Sequence, residues 1–299
     1  MEASQAIVAP IQTGWRQVVS DYVALTKPKV QSLLLLTTIC TMEIAGDPSV
    51  GLIALTVAGG YLSAGGAGAV NHWYDRDIDA LMERTADRPV PAGRVSPNAA
   101  LAFGCVLALL SFVLLSTTVN VLAASLALCG FLGYVFVYTV WLKRRTPQNI
   151  VIGGAAGAVP PLVGWAAATG GLTLDALWPF AIVFVWTPPH FWALALLIKD
   201  DYARTGVPML PVVAGAAATR RQILVYAVAL TALTVLPWAT GLFGTLYLGA
   251  ALALGGAFTG LAASLAARPS RGAALRVYLA SLAYLALLFC AMAIDRVLG

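Results

Sequence analysis

The chain has 299 residues, of which 60% are hydrophobic and 10% charged, and it carries a net charge of +5. A soluble domain carries about a quarter charged residues, so a water-soluble fold is excluded. Cys40, Cys105, Cys129 and Cys290 stand singly in apolar runs, which excludes a close-paired metal or redox motif.

In chain order, residues 1–27 form an N-terminal segment expected on the cytoplasmic side. Glu2, Asp21 and the single Arg16 in its first 25 residues suit neither a cleaved signal peptide nor an Arg-rich transit peptide. A bacterial plasma membrane is therefore favoured over the mitochondrial inner membrane. A spanning helix needs about 20 apolar residues, and the charged residues leave nine apolar runs, near 30–45, 49–70, 98–118, 122–141, 149–169, 174–197, 223–240, 244–266 and 277–294. Two long uncharged stretches are divided at 117–120 and 237–244, where turn residues interrupt them. The expectation is an all-α membrane protein of nine transmembrane helices in one polytopic domain spanning 1–299.

Lys and Arg stay on the cytoplasmic side during insertion. All 18 Lys and Arg residues except Arg296 fall in alternate loops, and Glu43, Asp47, Asp175 and Asp295 lie in the others. The N-terminus is predicted to be cytoplasmic. The positive charge thus reflects topology and the lipid bilayer, and no basic stripe with interleaved aromatics points to nucleic acid. Two cytoplasmic loops, 75–97 and 199–221, hold most of the acids, and chemistry is sought there.

Asn71, Asp75 and Asp79 follow the second span at a spacing of four. On a prolonged helix each step of four drifts by about 40°, so the amide and two carboxylates share one stripe about 12 Å long. Three oxygen-bearing groups in line suit Mg²⁺, which binds through one or two carboxylates plus substrate phosphates. Asp77 lies off the stripe. Arg84 and Arg88 follow, four residues apart. Their planar, permanent charge suits a diphosphate, while the positive-inside bias alone also accounts for single arginines.

The Asn71-x₃-Asp75-x₃-Asp79 pattern with Arg-Thr-x-x-Arg-Pro at 84–89 resembles the first signature of the UbiA-type intramembrane prenyltransferases. That resemblance implies nine helices around a central cavity, with two acid-bearing helix ends holding Mg²⁺ on an isoprenyl diphosphate. Further on, Trp186-Thr-Pro-Pro-His190-Phe-Trp192 and Lys199-Asp200-Asp201-Tyr202-Ala203-Arg204-Thr205-Gly206-Val207-Pro208 are similar to the branch of the family whose acceptor is haem B, as is Leu25-Thr-Lys-Pro-Lys29. In the wider family the second signature often has acids four apart; here Arg204 follows Asp200 at that spacing. Asp200 and Asp201 bind magnesium on one reading, and orient Lys199 or Arg204 toward phosphate on the other.

His190 falls inside a predicted span, where a polar ring normally has a function. It contacts haem, as an axial ligand would, or bonds carbonyls freed by Pro188 and Pro189. His72, Trp73 and Tyr74 stand beside the metal stripe, near haem or diphosphate, and Trp73, Tyr74, Phe191 and Trp192 are the candidate aromatic faces for a carbocation. The reaction implied by the resemblance converts farnesyl diphosphate, haem B and water to haem O and diphosphate. A haem A synthase or an oxidase assembly factor is the implied protein partner. The alternatives are a quinone precursor or another macrocycle as acceptor and, from a different class, a transporter. Against the latter, the acids gather at one membrane face and not near the midplane.

Overall fold

The computed structural model describes residues 14–298. Helix α1 (Trp15–Leu25) leads into α2 (Pro28–Ala45), α3 (Val50–Tyr74) and the short α4 (Arg76–Leu81). After the first long loop come α5 (Pro97–Thr118) and α6 (Val121–Leu132), which runs on as a π-helical stretch, Gly133–Leu142. The chain continues through α7 (Asn149–Gly157), α8 (Val159–Thr169), α9 (Leu177–Leu197), α10 (Lys199–Thr205) and α11 (Leu210–Val213). Helices α12 (Gly215–Ala239), α13 (Thr245–Ala267) and α14 (Arg271–Leu298) complete it, and no strand occurs among the described residues.

Among the described residues eight helices, counting α6 with its π extension and α7 with α8 as one each, are long and apolar enough to cross a membrane, so this is a multi-pass membrane protein. The first predicted span is α2, a helix of 18 residues that is not among the eight. Lys29, Gln31 and Glu43 lower its apolar character. Of the predicted N-terminal segment, residues 1–13, Glu2 included, lie outside the described residues.

Local chemistry explains the boundaries. Ser96 caps α5 by accepting from the Ala99 amide at 3.2 Å, with Pro97 in the first turn, where its missing N–H costs nothing. Asn120 accepts from the Ala123 amide at 2.8 Å and donates to the Ala166 carbonyl at 2.8 Å, ending one helix and starting the next. The predicted run at 149–169 is instead broken at Ala158. Pro160 and Pro161 have no N–H for the carbonyls of Ala156 and Gly157, so the ladder restarts. In α9, by contrast, Pro188 and Pro189 sit inside one unbroken helix.

The helices form a ring. In order of contact it runs α2, α3, α5, α6, α7, α9, α12, α13 and α14, and it closes where α14 packs on α2, with α8 bridging α2 and α6. Without a hydrophobic force between helices in lipid, small residues allow close approach. A Cβ on Gly66 of α3 would stand 2.6 Å from the Gly104 carbonyl of α5, and one on Gly104 would stand 2.7 Å from the Gly66 carbonyl. One on Gly164 of α8 would run into the Thr38 carbonyl of α2. The ring encloses a cavity of about 450 Å³ with Thr26 and Lys27 at its polar end.

Asp295, assigned above to an outer loop, lies inside α14, which continues to Leu298, and it is buried. Its carboxylate accepts from the Gly244 amide at 2.6 Å and from the Tyr247 amide at 3.0 Å. It therefore caps α13 from a neighbouring helix. Asp295→Ala should lower unfolding stability in detergent by about 1–3 kcal/mol, because two amides at the start of α13, that of Tyr247 buried, lose a charged acceptor. Unfolding unchanged from the parent would rule out the cap.

Candidate active site

The backbone of Asp75 leaves helical geometry between α3 and α4, with φ −88° and ψ 7°. The hydrogen-bond ladder nevertheless continues through it, from the Asp75 amide to the Asn71 carbonyl at 2.9 Å and from the Asp79 amide to the Asp75 carbonyl at 2.8 Å. The spacing of four thus survives the break. Asn71, Asp75 and Asp79 are 3%, 0% and 2% exposed, whereas Asp77 points outward and pairs with Arg144 at 2.6 Å. That hydrogen bond holds the Asp77 carboxyl below its usual range.

Charges buried this deeply must be paired. The Lys27 ammonium donates to Asn71 Oδ1 at 2.6 Å, and Asn71 Nδ2 donates to Asp75 Oδ2 at 2.6 Å and to Thr139 Oγ1 at 3.2 Å. Lys143 is ion-paired with Asp75 Oδ2, Arg144 approaches Asp75 Oδ1 at 3.5 Å, and Arg88 pairs with Asp79 at 2.7 Å. Burial, with Arg88 and Lys143 nearby, pushes Lys27 down to about 7, and Asp79 and Asp75 only partly offset this.

Lys27 is the one non-glycine at positive φ, +55°, among the described residues. It also precedes Pro28, whose ring favours an extended residue before it. A left-handed non-glycine costs roughly 1–2 kcal/mol. Here that conformation turns the chain from α1 into α2 and sends the side chain toward Asn71. Such strain persists where the surroundings enforce it, commonly at functional sites.

The second loop folds against the first. Tyr202 of α10 packs with Ile78 of α4 and with Met82 just after it. Burial raises its hydroxyl, Arg84 and Arg88 lower it, and Asp75 and Asp79 raise it. Asp201 is 8% exposed and is paired with Arg204. Its neighbour Asp200 is exposed, as adjacent helical residues about 100° apart require. The two acids therefore face different directions. Lys199 is half-buried and Arg84 exposed, so of the predicted arginine clamp only Arg88 is engaged, and its partner is a carboxylate. Among the described residues no three His, Cys, Asp or Glu side chains gather as a metal cage.

The cavity below this polar end is apolar. Tyr134 and Tyr138, ring centroids 5.3 Å apart, form part of its wall, and the Lys27 ammonium lies 6.0 Å from the Tyr134 ring. Phe191 and His190 line it, whereas His72, Trp73, Tyr74 and Trp192 do not. Both ring nitrogens of His72 are buried, with no hydrogen-bond partner among the described residues. Trp73 lies under Arg76 at 5.8 Å, Tyr74 under Arg144 at 4.9 Å, and Trp192 packs edge-on against Tyr226 at 5.3 Å. Sequence reasoning missed Lys27, Tyr134, Tyr138, Lys143 and Arg144 as site residues. Lys143 and Arg144 served only as topology markers, Lys27 only as a topology marker and as one residue of the Leu25–Lys29 resemblance, and Tyr134 and Tyr138 lie inside an ordinary-looking apolar run.

The model of the UbiA prenyltransferase family matches residues 34–291. The protoheme IX farnesyltransferase of Chloroflexus aurantiacus is 54% identical over 289 residues, 96% of this chain and 49% of that protein. One of the same name from Roseiflexus sp. is 54% identical over 286 residues, 95% of this chain and 54% of that protein. The chain thus spans about half the length of these two relatives. The protoheme IX farnesyltransferase of Symbiobacterium thermophilum is 53% identical over 289 residues, 95% of this chain and 96% of that protein. Among solved structures, one of digeranylgeranylglyceryl phosphate synthase superposes with TM-score 0.77 at 19% identity, covering 95% of this chain and 100% of that one. A UbiA homolog from Archaeoglobus fulgidus bound to DMAPP and Mg²⁺ gives 0.72 at 15% identity, covering 92% and 99%. The fold is shared with both.

The buried pair Lys143 and Asp75 generates a stability prediction. Lys143→Met should cost on the order of 3 kcal/mol, because it leaves an interior carboxylate short of its cation. Adding Asp75→Asn should recover at least half of that loss in thermal unfolding. A single variant as stable as the parent would show that the carboxylate does not depend on this pair.

Proposed function

This chain belongs to the UbiA prenyltransferase family, and from that premise we propose that it transfers a farnesyl group from farnesyl diphosphate to a vinyl group of haem B, with addition of water, giving haem O and diphosphate. One observation carries the proposal: a buried stripe of Asn71, Asp75 and Asp79, set among Lys27, Arg88 and Lys143, caps an apolar cavity of about 450 Å³. Such a site suits a substrate with a diphosphate head and a hydrocarbon tail. The name carried by relatives at 53–54% identity, one of them matched over nearly its whole length, supports haem as the acceptor.

The residues fit Mg²⁺ of the kind completed by substrate phosphate, since Asn71 Oδ1 and the carboxylates of Asp75 and Asp79 are hard oxygen donors on one stripe. When bound, the ion supplies positive charge to the diphosphate. Lys27, Arg88 and Lys143 stabilise the negative charge that grows as the allylic carbon–oxygen bond breaks and its electron pair leaves with diphosphate. The vinyl carbon of haem attacks the farnesyl carbon. Water then captures the cation beside the macrocycle and releases one proton. Tyr134, Tyr138 and Phe191 present aromatic faces to the cationic stages, and the apolar walls restrict stray water. Asp201 with Arg204, the half-buried Lys199 and the exposed Asp200 and Arg84 extend the charged end, where phosphate would first arrive.

The alternation of basic loops supports an active end facing the cytoplasm of a bacterial plasma membrane. The comparisons lend no support to a haem A synthase or an oxidase assembly factor as partner, and neither belongs to the proposed reaction.

Purified protein given haem B, farnesyl diphosphate and Mg²⁺ should yield a haem heavier by farnesyl plus water, read by mass spectrometry. Product formed only on a quinone precursor would replace the acceptor. Asp75→Asn and Asp79→Asn should each reduce turnover by about a hundredfold while the protein stays helical, matching the loss of roughly 3 kcal/mol of charge stabilisation. Full activity in both would end the assignment.

A further inference from the structure

Deep in the cavity, one histidine is held in a single tautomer by a group that the reaction scheme above does not use. Ser281 of α14 has one hydroxyl proton, and it donates that proton to the Tyr278 carbonyl at 2.6 Å. His190 Nδ1 lies 2.6 Å from the same oxygen. With its proton committed, Ser281 can only accept, so Nδ1 carries the hydrogen and Nε2 is left with a bare lone pair. No partner for Nε2 occurs among the described residues, and the 7% exposure of this residue opens on the cavity that it lines.

The ring is also fixed in plane. Trp186 stacks on it at 4.4 Å and 17°, and Tyr278 stacks at 5.0 Å and 27°. Two stacked rings this near occupy opposite faces of the imidazole. Trp186 is anchored in turn by its indole N–H, which donates to the Ser281 carbonyl at 2.8 Å. Phe191 meets the edge of the imidazole at 5.3 Å and 89°. The carbonyls freed by Pro188 and Pro189 are not what Nδ1 bonds. Clamping an imidazole between two aromatic faces, with its far nitrogen donating to a fixed oxygen, is the arrangement that prepares a histidine to ligate a metal.

We infer that His190 Nε2 is the axial ligand to the iron of the haem substrate, and that Ser281 is the positioning residue that sets its tautomer and orientation. The inference rests on haem being the acceptor. It adds how haem is held: coordinated along the imidazole plane, with the macrocycle across the end of the ring and edge-on to Trp186 and Tyr278. Ligation would fix the depth of the macrocycle in the cavity, and so set which edge reaches the farnesyl carbon below Lys27.

The test uses the full chain in lipid nanodiscs, with haem B as probe and optical, magnetic-resonance and resonance Raman spectra as readouts. The parent should show an iron–imidazole stretch. His190→Ala should lose it and bind haem at least tenfold more weakly, and His190→Gly should regain it when free imidazole is added, which separates ligation from misfolding. Ser281→Ala should keep the ligand but lower the stretching frequency and weaken haem binding by about tenfold, with farnesyl diphosphate affinity unchanged. An unaltered haem spectrum in His190→Ala overturns the ligation, and an unaltered stretch in Ser281→Ala overturns the positioning role. If the parent makes farnesylated haem while His190→Ala keeps the parent spectrum, only the ligation fails. If the parent coordinates haem through His190 but makes no farnesylated product, the proposed reaction fails and with it the reading of that haem as a substrate, while the coordination itself is confirmed.

Discussion

A carboxylate with no contact with solvent must be surrounded by positive charge and hydrogen-bond donors, and Asp75 imposes that requirement on the helices around it. It draws Lys143 and Arg144 from the end of the π-helical stretch, and Asn71 from one turn back on α3. Asn71 in turn accepts from Lys27, whose left-handed backbone starts α2. Three separate parts of the chain are therefore held in register by one buried acid. Arg88 does the same for Asp79 from the first loop. The excess of cations over stripe carboxylates leaves this end of the cavity ready for an anion, which is the property a diphosphate substrate needs.

The π-helical stretch connects that charge network to the cavity wall. At its end the Lys143 amide bonds the Tyr138 carbonyl five residues back, at 2.9 Å. Wider winding changes which side chains share a face, so Tyr134 and Tyr138 line the cavity while Thr139 reaches Asn71 and Lys143 reaches Asp75. An ordinary α-helix would bring residues 139 and 143 onto the face of 135, about 100° from that of 134 and 138. Rare winding at this place fits the general association of π segments with functional sites.

Much of this was legible in the residues. Charges interrupting apolar runs located the helices, and the turn residues at 117–120 marked one reversal, where the Asn120 side-chain oxygen satisfies an amide that the next helix leaves open. The stripe at 71, 75 and 79 was readable because four-residue spacing is a property of any helix. Pairing across the bundle was not readable. Lys27, Lys143 and Arg144 obey the charge bias of cytoplasmic loops, and that single explanation conceals a second role in each. The adjacent acids Asp200 and Asp201 read as a pair, yet helical geometry turns one to solvent. The break at Ala158 and the intact α9 show that a double proline does not by itself decide whether a helix is divided.

The closure of the ring has a consequence for the reaction. Lys27, at the charged end, begins α2, while Tyr278 and Ser281, which clamp His190, belong to α14, and these two helices form the closing contact. Groups acting on the donor and groups holding the acceptor are therefore built on adjoining helices at one seam. Each group is held by a contact of its own, Lys27 by Asn71 of α3 and Ser281 by His190 of α9, so in the proposed reaction the α2–α14 seam sets the two ends of the site side by side while α3 and α9 fix each end separately.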